Sequence, residues 1–189
     1  ACGRLVALYA VGALIPGDAT AAGALRDAVV TRWTAACEGG DDAGCVSLLE
    51  LPEAVAVPGR AALGRRACGR HLGLGCEALA ASAERAPTRD ALRVQAAGLY
   101  VDACDAGDAR ACVRLAGMYR RDEVAQAMRP RYRRVGLLEH ARAIWRSGCD
   151  AHDPLACADL GVSWLTGPNP DPYAARHAFA RAVPVARIP

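Results

Sequence analysis

Lysine is absent: all 23 basic residues of the chain are arginine. That removes the S-x-x-K and K-T-G signatures of serine β-lactamases and penicillin-binding enzymes, and the lysine of a phosphate-binding P-loop. The all-arginine usage reads first as a coding bias. Aromatic residues make up only 5% of the 189, which disfavours a β-sandwich, while the abundance of alanine favours close-packed helices. A formal charge of +3 is too small to call for nucleic acid. No apolar run approaches the roughly 18 residues that a membrane-spanning helix needs. G-x-S-x-G, H-E-x-x-H and a dinucleotide fingerprint are missing as well. The four scattered histidines leave little for a nucleophile–base couple. These gaps point away from an enzyme, and away from catalytic, cofactor-binding or metal residues. With 53% hydrophobic residues the chain still has ample material for a folded core.

Cysteine is the residue in excess. Eight of nine fall into four pairs, each eight apart: Cys37 and Cys45, Cys68 and Cys76, Cys104 and Cys112, Cys149 and Cys157. An even set with one repeated spacing reads as a disulfide framework formed in an oxidising compartment. Structural zinc prefers C-x₂₋₄-C knuckles, and seven intervening residues do not fit. Each local bridge would close the tip of a helical hairpin and contribute about 2–3 kcal/mol. The segments between paired cysteines support hairpins. Gly40 with Asp41 and Gly107 with Asp108 supply a left-handed helix end followed by an N-cap. In the fourth pair His152 takes the glycine slot before Asp153 and Pro154. In the second, His71 is followed by Leu72, so the cap is missing.

Alignment on the cysteines exposes a repeat. Three residues after the second Cys stand Leu48, Leu79, Leu115 and Leu160; four before the first stand Trp33, Gly64, Tyr100 and Trp145. The residue just before the first Cys is small: Ala36, Ala67, Ala103 and Gly148. Such columns describe two amphipathic helices per unit, with the aromatics as core packing. The expected organisation is one repeat domain over 1–189, with repeats at 20–56, 57–86, 88–128 and 133–167. Cys2, Leu5 and Tyr9 match a second helix, so 1–11 is expected to be part of a repeat cut at its N-terminus, with Cys2 unpaired. Residues 171–183, with Phe179 in the aromatic slot, read as a terminal half-repeat. Pro52 and Pro58 should shorten the second helix of repeat 1.

These motifs, A-x-x-[LI]-[YW]-x-x-[AG]-C followed by C-x-x-L-[AG]-x-x-Y, resemble Sel-one-like repeats, relatives of the tetratricopeptide repeats. The paired cysteines resemble the disulfide-stapled branch typified by the Helicobacter cysteine-rich proteins. AGLYVDACDAGDARACVRLAGMY carries the likeness best. First cysteines stand 31, 36 and 45 residues apart, against a family repeat of about 36, so the third interval holds an insertion. The resemblance implies an all-α fold, an α-α superhelix built as a right-handed solenoid of hairpins. It also implies a protein- or peptide-binding scaffold that is secreted or held in the periplasm or cell envelope of a bacterium. Association of that branch with penicillin binding keeps a binder or weak hydrolase of β-lactam or peptidoglycan-like ligands as an alternative. A structural spacer in a larger secreted protein is another.

Two arginine sets are candidate partner sites, both suited to an acidic protein or peptide. One is the insertion, RRDEVAQAMRPRYRR over 120–134, with Arg129, Arg131, Tyr132, Arg133 and Arg134. The other lies on first helices, which line the concave face of such solenoids: Arg65, Arg66, Arg93, Arg142, Arg146 and Arg176. Changing Arg131, Arg133 and Arg134 together to Gln is expected to preserve the circular dichroism spectrum. The same change should lower affinity for an acidic partner and reduce its salt sensitivity. Unchanged binding at low and high salt eliminates the loop as a site.

Overall fold

The computed structural model describes residues 19–51, 57–121, 134–167 and 169–182. Among them the secondary structure is entirely helical, with nine helices and no strand. In chain order these are α1 (Ala19–Glu38), α2 (Asp42–Leu49), α3 (Arg60–Gly69), α4 (Gly73–Ser82) and α5 (Ala86–Asp105), then α6 (Ala109–Arg120), α7 (Arg134–Asp150), α8 (Pro154–Thr166) and α9 (Pro172–Ala182). The chain divides into two compact units, Ala1–Leu99 and Tyr100–Pro189. The region of Cys2 lies outside the described residues.

Each of the four cysteine pairs stands at disulfide geometry, with Cα atoms 4.6–4.8 Å apart. The turns between them follow from backbone chemistry. Gly40 and Gly107 adopt φ of 96° and 95°, and His71 and His152 adopt 61° and 67°. The last two are left-handed positions that a side chain tolerates at some cost. Asp41, Asp108 and Asp153 then cap α2, α6 and α8, their carboxylates accepting from backbone N–H groups of the first turn. Leu72 opens α4 with no side-chain cap. A left-handed turn residue thus recurs in all four hairpins, and an aspartate cap in three of them.

In the first unit, Leu48, Leu49 and Leu51 from the α1–α2 hairpin meet Leu63, Ala67 and Leu74 from α3–α4 in one core, with Trp33 packed against it. Helix α2 is only eight residues long, ending ahead of Pro52 as proline chemistry requires. Arg70 joins the two turns: its guanidinium pairs with Asp42 at 2.6 Å and donates to the Gly40 carbonyl. In the second unit, Leu115, Met118 and Leu137 are fully buried. Cys149, Cys157, Leu160 and Ala178 form a further cluster against Trp145 and Trp164. The Phe179 ring lies over Gly161, where an added Cβ would stand 2.6 Å from a ring carbon. Arg181 anchors α9 by donating to Asp150 at 2.8 Å and to the Cys149 carbonyl at 2.9 Å.

The bridges force close helix approach at each tip, and the residues flanking them are small. A Cβ on Gly44 would lie 2.8 Å from that of Ala36, and one on Gly148 would lie 2.8 Å from that of Ala156. The glycine has changed helices between these two hairpins while the contact is kept. Gly75 fits equally tightly against Ala67 and the backbone of Cys68. Gly75→Ala is expected to lower stability by about 1–3 kcal/mol through overpacking. Gly69→Ala, on a helical glycine with nothing within 4 Å, should raise it by roughly 0.5–1 kcal/mol. Urea unfolding of the two variants checks the contrast; equal shifts would remove the close-approach argument.

Candidate functional site

The second unit contains a cavity of about 240 Å³ walled by α6, α7 and α8. The α6 wall is Val113, Ala116, Gly117 and Arg120; α7 contributes Leu138, Arg142 and Trp145; α8 contributes Asp159, Val162, Ser163 and Thr166, with Gly167 beyond it. Val113 and Val162 are exposed, so the apolar walls face solvent. Two second helices and one first helix build this site. Of the arginines expected on first helices, Arg142 stands in its wall.

Arg142 is the organising cation. Its guanidinium carbon lies 3.9 Å from the centroid of a Trp164 ring, a stacked cation–π contact. Its Nη2 donates to the Ser163 carbonyl at 2.8 Å. Gly167 makes room: any Cβ there would run into Arg142 Nη2. A half-buried guanidinium normally finds a carboxylate, yet Arg142 has none among the described residues. The cavity's own carboxylate, Asp159, is buried and engaged by Arg110 Nη2 at 3.2 Å. That ion pair ties α6 to α8 and offsets the one negative charge in the wall. With Arg120 at the margin, the cavity keeps an excess of positive charge. Its hydroxyls are spent on helix carbonyls: Ser163 Oγ donates to Leu160 at 2.7 Å and Thr166 Oγ1 to Val162 at 2.9 Å.

The remaining first-helix arginines do not converge on this cavity. Arg65 is exposed on α3, and Arg66 edges a smaller hollow between α1 and α3 together with Glu38. Arg93 is half-buried and pairs loosely with Asp90, 3.6 Å away on the same helix. Arg146 is exposed on α7, and Arg176 edges an open apolar groove with Leu165 and Phe179. From the insertion, Arg129, Arg131, Tyr132 and Arg133 lie outside the described residues, and Arg134 begins α7. Two tryptophans have two duties each: Trp145 and Trp164 pack on the core, while Trp145 also lines the cavity and Trp164 is the platform under Arg142.

A second cluster escaped the sequence reading. His140 on α7 brings a ring nitrogen within 4.8 Å of the sulfurs of Cys104 and Cys112. Its separation in sequence hid it, since only the histidines between paired cysteines, His71 and His152, share the repeat register. Among the described residues no helix is long and apolar enough to cross a membrane, and the four disulfides suggest an oxidising environment. No family model, curated protein or solved structure matches the chain.

Replacing Arg110 by Met is expected to destabilise the protein by about 1–3 kcal/mol, because Asp159 would lose a charged partner in a buried setting. The loss should appear as a lower urea midpoint at unchanged slope. A neutral result would mean that Asp159 does not depend on Arg110.

Proposed function

We propose that this chain is a binding module working outside the cytoplasm, secreted or in a bacterial cell envelope, with an acidic protein or peptide as its partner. The observation that carries the reading is the cavity around Arg142. Pockets for cofactors and small-molecule substrates run to about 300–1,000 Å³, whereas this one holds about 240 Å³. That space suits one anchoring apolar side chain between Val113, Leu138, Trp145 and Val162. A carboxylate beside that anchor meets Arg142, whose guanidinium is already fixed by Trp164 and the Ser163 carbonyl, so little further ordering is needed on binding. Fixed arginine and aromatic groups beside an apolar hollow are the usual makings of a binding hot spot. The engaged state of Asp159, Ser163 and Thr166 supports binding over hydrolysis, since none of the three is poised as a nucleophile or base.

Titration of the full chain with a capped Leu-Glu-Leu peptide, followed by tryptophan fluorescence, tests the reading. The Leu-Gln-Leu counterpart is expected to bind roughly tenfold more weakly, the equivalent of about 1.4 kcal/mol. Arg142→Gln should abolish that preference, and Arg65→Gln should leave it intact. Equal binding of both peptides, or a preference that survives Arg142→Gln, overturns the assignment.

A further inference from the structure

One of the four staples, Cys104–Cys112, has a histidine beside it. Among the described residues, Cys104, Cys112 and His140 are the one group of three thiol, imidazole or carboxylate residues whose donor atoms gather closely enough to hold a cation. They come from three successive helices: Cys104 near the end of α5, Cys112 in the first turn of α6, and His140 in α7. The two sulfurs are buried, and the histidine is exposed. While the bridge is intact, neither sulfur is a thiolate ligand, and the group binds nothing.

We propose that Cys104, Cys112 and His140 form a redox-gated site for a thiophilic divalent cation, Zn²⁺ above all. A dithiol reductant opens the gate. The Cys104–Cys112 bridge takes up two electrons and two protons, giving two thiols, and the reductant leaves as its own disulfide. Zn²⁺ then displaces the two thiol protons to solvent, while neutral His140 lends a ring nitrogen lone pair. Zinc–sulfur bonds of about 2.3 Å and a zinc–nitrogen bond of about 2.0–2.1 Å, arranged tetrahedrally, place ligand atoms roughly 3.5–3.8 Å apart. The three donors already lie within 4.8 Å of one another, so side-chain rotation and movements of about an ångström complete the set. The sulfurs only need to part. His140 stands at the surface, so water can occupy the fourth position, as in an open zinc site.

The cation would restore what reduction removes. A bridge between α5 and α6 is lost, and a metal joining α5, α6 and α7 takes its place. The other three pairs lack a third ligand among the described residues, so their reduction offers two thiols alone. The inference is independent of the cavity around Arg142 and stands or falls by itself.

The test uses the full chain, reduced with dithiothreitol under anaerobic conditions and desalted. One Zn²⁺ per chain should bind more tightly than any further equivalents, and Co²⁺ in its place should show thiolate-to-cobalt charge-transfer absorption. The oxidised chain should show neither. Bound Zn²⁺ should shield Cys104 and Cys112 from N-ethylmaleimide, read by peptide mass mapping, and should raise the melting temperature of the reduced chain. His140→Gln changes an exposed side chain and should preserve helicity, yet weaken the tight site at least about tenfold, as loss of zinc-site residues does, and end the selective shielding. Cys68→Ser with Cys76→Ser should leave the tight site unchanged. Zn²⁺ affinity and shielding that persist in His140→Gln, or that follow a different cysteine pair, overturn the proposal.

Discussion

The structure depends on how close two helices come at each disulfide. The bridged residues have Cα atoms 4.6–4.8 Å apart, toward the short end of the range a disulfide spans. Residues one position before each cysteine must then be small, and Gly44 against Ala36 and Gly148 against Ala156 meet that demand from opposite sides. The tight tip also dictates the turn. A left-handed residue reverses the chain in all four hairpins, and in three of them an aspartate caps exposed N–H groups of the helix that follows. His71 and His152 accept a backbone position that glycine fills elsewhere. Their backbone conformation places them at the turn.

This explains why so much of the hairpin was legible without coordinates. Cysteine spacing, turn glycine, cap aspartate and the short α2 ahead of Pro52 are all encoded within a dozen residues, and local rules govern them. The division into two compact units was not legible, because the repeat pattern runs through the boundary. Nor was the cavity. Val113, Arg142 and Val162 come from three helices, and their meeting depends on how α7 lies between α6 and α8. Helical periodicity placed Arg142 and Arg146 in one candidate set. The structure separates them: Arg142 stacks on Trp164 while Arg146 is exposed.

The absence of lysine acquires a physical consequence at position 142. An ammonium could lie near Trp164 or donate to Ser163, but the flat guanidinium does both at once and keeps further N–H groups for a ligand. Whatever coding bias filled the chain with arginine, lysine would not be an equivalent here. The same reasoning separates Arg142 from Arg110 and Arg181. Those two have their carboxylates in Asp159 and Asp150, and they serve packing.

Helix α7 connects the parts. Leu138, Arg142 and Trp145 follow one another at helical intervals of four and three, and they form the cavity wall; the next step of four reaches Cys149, the helix's own bridge. Leu137 and Ala141 are buried on an adjoining stripe, and His140 is set aside toward the Cys104–Cys112 bridge. On the facing helix, Val113 follows Cys112 directly, so that bridge fixes the start of the α6 wall against α5. The covalent framework therefore secures each hairpin by itself. The bridges join α5 to α6 and α7 to α8, so the spacing of Val113 on α6 from Arg142 on α7 rests on noncovalent packing between those two helices. A change in that packing changes whether an apolar anchor and a carboxylate can be held together.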